Sequence, residues 1–278
     1  MMRFIKLFPI MIVIGFIVLM VSCGDDKSTN PNDQEDKVPT IPPQSSLMIN
    51  FEGFPDTSTA RGFDNSNLAK TNWAWAAGNV KYWNSVLFVT LAIPTAVFIE
   101  AFKYQPVQQS DGSWLWQYSI SIDEHTYTAK LYGKDLGYGV DWRMLLSKSG
   151  AYTDFEWFTG FSNHEATEGN WTVNKNPELS SPFLSIEWER NIQEETANIK
   201  YTLISPTVQH NGSYVFCGKT NEVPLNRIYQ IFNSGNNNSI DIKWNFESKF
   251  GRVRDAVHFG NNNYHCWNEE LDDTECTD

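Results

Sequence analysis

The chain has 278 residues, a formal net charge of −12 at pH 7, and 14% aromatic residues including 11 Trp. So acidic a surface repels phosphate backbones and anionic lipid headgroups, which argues against nucleic acid as a partner. The length is ample for one sizeable core, so the acid surplus is read first as solubility.

The first element is a leader. Arg3 and Lys6 form a short basic region, and the apolar run Leu7 to Val21 ends at the small residue Ser22, directly before Cys23. This is the layout of an export signal, and the run is shorter than the about 20 apolar residues that a spanning helix needs. An uncleaved anchor and an ordinary signal peptide are the competing readings.

The stretch Leu19-Met20-Val21-Ser22-Cys23 resembles the lipobox of bacterial lipoproteins, with Met20 where Leu is usual. The resemblance implies cleavage before Cys23, lipidation of Cys23, and a membrane partner engaged through an N-terminal acyl anchor. A stable anchor of this kind takes two or more chains. The expected address is the cell envelope, at the outer membrane, periplasmic or surface-exposed. The start Gly24-Asp25-Asp26 resembles the acidic signals for surface display found in some Gram-negative lineages. Loss of Arg3 and Lys6 with the leader makes the mature chain two units more negative.

Residues 1–22 are thus read as signal peptide and 23–46 as a polar, Pro-containing tether with little to bury. Residues 47–278 are read as a single β-rich exported domain.

Early in that domain, Ala76 to Lys103 carries apolar residues that do not alternate and is too long for one strand, which predicts a buried helix kinked at Pro94, firmest over Asn84 to Lys103. Its β-branched residues Val86, Val89, Ile93, Val97 and Ile99 count against a helix, so a hairpin turning at Pro94 is the alternative. Glu100 and Pro94 argue against a membrane span.

Strands follow. Trp114, Trp116, Tyr118, Ile120 and Ile122 share one parity while Gln117, Ser119 and Ser121 take the other, and the chain turns at Asp123 to His125 into Tyr127, Ala129 and Leu131. The pattern recurs at Val140 to Leu146 with Tyr152 to Phe158, then at Trp171 and Val173. It returns at Leu184 to Trp188 with Ile199 to Leu203, and at Ile240 to Phe246 with Val253, Val257 and Phe259. Connections this short join antiparallel neighbours. The expected fold is a mainly β, antiparallel up-and-down meander of about ten strands, barrel-like or strongly curved, with one long apolar helix packed on or in it.

Candidate sites are sparse. With Cys23 acylated, Cys217, Cys266 and Cys276 remain, and the nearest pair, Cys266 and Cys276, is the leading disulfide. Pairing of Cys217 with either, or no bond at all, stays open. His258, His265, Cys266 and Cys276 carry zinc-binding atoms in a spacing that matches no zinc pattern, so no metal or other cofactor is expected. Glycosidases need two carboxylates at a set separation, and Glu156, Glu187, Glu189 and Asp241 are the candidates, but no spacing among them is diagnostic and polar positions opposite an apolar face are the ordinary solvent side of a strand. Asn236 to Asn238 and Asn261 to Asn263 read as turns.

Trp114, Trp116, Trp142, Trp188 and Trp244 fall in step with aliphatic neighbours and read as core. Trp73, Trp75 and Trp157 are less tied to such a stripe and are the candidates for a ligand surface. The reading is a non-catalytic binding or structural lipoprotein engaging a glycan or another envelope protein. A hydrophobic-ligand or lipid carrier with the helix capping a β cavity is the alternative, and a glycoside-acting enzyme the third.

Overall fold

The computed structural model describes residues 37–48, 54, 71–122, 124–207 and 209–276. Cys23, the leader and most of the tether lie outside the described residues. Val38–Asp278 forms one compact unit. The chain joins the core before Leu47, because Pro39, Pro42 and Ser46 are already buried.

The fold begins with a short 3-10 turn at Gln44–Ser46 and the long helix α1, Thr71–Ala101. The meander follows: β1 Val107–Gln108, β2 Trp114–Ile122, β3 His125–Asp135, β4 Val140–Lys148, β5 Tyr152–Ser162, β6 Glu168–Asn176 and β7 Leu179–Asn191. It continues through β8 Thr196–Leu203, β9 Tyr214–Lys219, β10 Arg227–Asn233, β11 Asn238–Trp244 and β12 Gly251–Asp255. A helical turn, α2 Ala256–Phe259, precedes β13 His265–Trp267 and β14 Asp273–Thr274.

Among the described residues fourteen strands form one sheet in chain order, each antiparallel to the next. The expected meander is therefore present, with fourteen strands in place of about ten. The barrel is not: the order runs from β1 to β14 without closing. Both edge strands are two residues long, and β1 pairs only with Trp114 and Leu115 of β2.

α1 lies against the inner face of this open sheet. The helix packs against β2 and β3 at one end of the sheet and β12, β13 and β14 at the other. Between them, Phe98 meets Phe158 of β5 and Trp171 of β6 edge-to-face, with ring centroids 5.9 and 5.6 Å apart. The Tyr118 hydroxyl donates to the Val97 carbonyl at 2.7 Å, and the Tyr229 hydroxyl donates to Asn84 Oδ1 at 3.0 Å.

Pro94 sits inside α1 and does not end it. The helix starts earlier than the sequence suggests because its cap is remote. Asp273 of β14 accepts from the Asn72 amide at 2.9 Å and from the Thr71 amide at 3.2 Å, placing negative charge at the positive end of the helix dipole. α1 is long and apolar enough to cross a membrane by length and composition.

The inward parity follows the sequence over β2, where Trp116 and Tyr118 are buried and Gln117 and Ser119 exposed. Four inward Trp rings lie over glycines directly across the ladder: Trp142 on Gly133, Trp171 on Gly160, Trp188 on Gly169 and Trp267 on Gly251. A Cβ built at Gly160 would lie 2.2 Å from the Asn170 carbonyl oxygen and 2.3 Å from the Trp171 ring, so glycine is required there. Val257 and Phe259, read as a returning strand, belong to α2. The left-handed Gly260 ends that turn.

Candidate functional site

The aromatic candidates separate in the structure. Trp73 is 5% exposed and Trp157 8%, and both belong to the core, which corrects their reading as ligand surface. Trp157 turns inward because the β4–β5 register shifts between Met144 and Leu145, whose partners are Phe158 and Glu156. The skipped residue breaks the alternation, so Trp157 and Phe158 are both buried.

Trp75 is different. It lies half-buried on α1 and lines a cleft of about 530 Å³ between the N-terminal half of the helix and the β10–β12 end of the sheet. Helical spacing brings Asn79, Tyr82 and Trp83 to the same cleft. Tyr82 is exposed, Trp83 is half-buried, and their rings meet edge-to-face at 5.3 Å. The facing wall is amide-rich, with Asn233, Asn236 and Asn238 around the β10–β11 turn. Asn237 in that turn adopts φ 50°, the left-handed geometry that Asn tolerates and that led the segment to be read as a turn alone.

Asp255 organises the cleft without offering it a free charge. It is 2% exposed and accepts from Trp75 Nε1 at 3.1 Å, Asn238 Nδ2 at 2.9 Å, and the Val257 and His258 amides at 3.1 and 3.2 Å. The last two bonds cap α2, which presents His258 flat against Trp75, ring centroids 3.6 Å apart and planes 4° from parallel. One face of the Trp75 indole is thus taken by His258. Asn79 Nδ2 donates to the Trp75 carbonyl at 2.9 Å, which leaves its carboxamide oxygen as an acceptor. The cleft combines aromatic rings, an aliphatic wall of Ile231, Ile240 and Val257, and carboxamide donors and acceptors, and the one carboxylate lining it is buried and accepts four hydrogen bonds.

The remaining candidates lie elsewhere. Cys266 and Cys276 are joined by a disulfide, and Cys217 is a buried free thiol whose pKa burial pushes well up. Among the described residues no group of three or more His, Cys, Asp and Glu is placed to hold a metal ion. Glu187 and Glu189 share an outer groove with Glu168, with Glu187 3.9 Å from Lys200 and Glu189 accepting from Asn198 Nδ2 at 2.7 Å. Asp241 is on β11, paired with Arg254, and Glu156 is on β5.

Compared with known protein families, characterised proteins and solved structures, the chain matches none.

Proposed function

We propose that the protein is a cell-envelope lipoprotein, anchored through Cys23, whose domain binds a neutral glycan in the Trp75–Asn236 cleft. The observation that carries this reading is the cleft's composition. Tyr82 and Trp83 offer aromatic surface for the apolar faces of sugar rings, while Asn79, Asn233 and Asn236 offer carboxamides for hydroxyls. Among the described residues lining the cleft, the one carboxylate, Asp255, is engaged by four donors, and there is no Arg or Lys to draw an acidic sugar.

The test is binding of the purified protein to an array of neutral and acidic oligosaccharides. Trp83→Ala and Asn236→Ala should each weaken neutral glycans about tenfold or more, as expected when an aromatic anchor or a paired polar group is removed. Retention on acidic glycans only, or indifference to both substitutions, would rule the reading out.

A hydrophobic-ligand carrier is the second reading, favoured by one observation. Val86, Phe88 and Val89 of α1 are exposed, and the nearby hydroxyls of Ser85 and Thr90 donate back to the carbonyls of Lys81 and Val86 at 2.8 Å, so that this helix face presents little polarity. Uptake of a fluorescent fatty acid that Val89→Ser abolishes would favour the carrier.

A further inference from the structure

The same end of the sheet carries a second cleft on its other face. Lys243 of β11 and Arg252 of β12 stand directly opposite each other in the antiparallel register, with the outward parity that alternates with the buried Ile242 and Val253. Like charges at such a cross-strand pair destabilise it. Lys243 has Glu222 at 3.4 Å. Arg252 has no carboxylate partner among the described residues: its guanidinium lies over the Tyr264 ring at 4.3 Å, and its Nε is buried without a hydrogen-bond partner. Its neighbour Arg254 is placed differently, since its Nε donates to Asp241 at 3.0 Å, and Arg190 Nε, with no acid beside it, still donates to the Ala166 carbonyl at 3.0 Å. Arg252 Nε is the one arginine nitrogen among the described residues that is buried without a hydrogen-bond partner, and with Lys243 directly across the ladder the pair concentrates positive charge at the cleft, which favours an anionic group there.

Both cations line a cleft of about 550 Å³ with apolar walls from Val223, Pro224, Leu225 and Phe250. Three exposed acids also line it: Glu222, which pairs with Lys243, and Glu269 and Glu275. A simple anion would satisfy Arg252 but meet repulsion from these acids, and a simple cation would leave Arg252 unpaired. A ligand carrying both charges on a hydrocarbon body satisfies every group. We propose that this cleft binds a small apolar zwitterion of the α-amino acid class, free or as a dipeptide. The carboxylate rests on Arg252 and Lys243, the ammonium group turns to Glu269 and Glu275, and the side chain lies on the Val223–Leu225 wall. This site is independent of the glycan cleft.

The test is calorimetric titration of the full-length acylated protein in detergent with L-leucine and Leu-Leu, against leucinamide, which lacks the carboxylate, and N-acetyl-leucine, which lacks the ammonium group. The zwitterions should bind, and each blocked derivative should bind at least about tenfold more weakly. Tighter binding of Leu-Leu than of leucine identifies the peptide as the source; the reverse identifies the free amino acid. Arg252→Met, which keeps the aliphatic stem over Tyr264, should abolish binding. Glu275→Gln, at an exposed position, should weaken binding about threefold or more with the fold undisturbed, which keeps the test valid if Arg252→Met fails to fold. No binding of either zwitterion at millimolar concentration, equal binding of the blocked derivatives, or unchanged affinity in Glu275→Gln would overturn the assignment.

Discussion

The helix is the element on which the open sheet depends, and two phenylalanines on it make a controlled comparison. Phe98 is 0% exposed and touches Phe102, Phe158 and Trp171, whereas Phe88 on the same helix is 60% exposed. Alanine has the higher helix propensity, and that gain is equal at both positions, so it cancels in the difference. At Phe98, lost transfer energy and the cavity left among three aromatic rings predict a cost of about 4 kcal/mol for Phe98→Ala. At Phe88 most of the ring is already in water, and Phe88→Ala should cost about 1 kcal/mol or less. For a domain of this size the first substitution should lower the thermal midpoint by roughly 8–16 °C, and the second by only a few degrees. Equilibrium urea unfolding followed by tryptophan fluorescence reads both. Equal losses would refute the seating of α1 through its Phe98 face. The expectation that the whole helix is buried is corrected by the same pair, since a charge at Phe88 has water to face and a charge at Phe98 has none.

Other outcomes follow from single contacts. Gly160→Ala should be destabilising by about 2 kcal/mol or more, because the added carbon meets backbone as well as the Trp171 ring, whereas Gly112→Ala has open space and only its positive φ against it; the two midpoints in urea decide this. Trp116→Ala should cost on the order of 3–5 kcal/mol and Ser119→Ala almost nothing, as their inward and outward positions on β2 require. Asp273→Ala removes the remote cap of α1 and should cost about 1–2 kcal/mol in thermal unfolding, with earlier hydrogen exchange at Asn72. Cys217, buried and with its thiol pKa raised, should resist alkylation at pH 8 in the native protein and react fully in urea; rapid native labelling would contradict its burial.

Much of this architecture is legible in the sequence because most strands keep a period of two. Trp114 to Ile122, Val140 to Leu146 and Leu184 to Trp188 all present the parity expected of them. The segments that escaped do so for identifiable reasons. In β10, Ile228, Tyr229, Ile231 and Phe232 set apolar residues on both faces and blur the alternation. The inward turn of Trp157 has no sign in the sequence, because a register shift is a property of two strands, invisible in one. The start of α1 has no local signal, because its capping carboxylate, Asp273, comes from the far end of the chain. The site was half-visible. Trp75 stands out in the sequence for its lack of a buried stripe, but the turn chemistry that explains Asn236 to Asn238 gives no sign that Asn236 and Asn238 line the same cleft, since only the fold brings that turn against the helix.

The central claim, glycan binding in the Trp75–Asn236 cleft, is most directly tested by saturation-transfer NMR on the purified protein mixed with neutral and acidic oligosaccharides. The account predicts transfer to ring protons of neutral sugars, concentrated on one sugar face and lost in a Tyr82→Ala, Trp83→Ala double variant that keeps its native circular dichroism. Absence of transfer to any neutral sugar, or transfer undiminished in that variant, would contradict it.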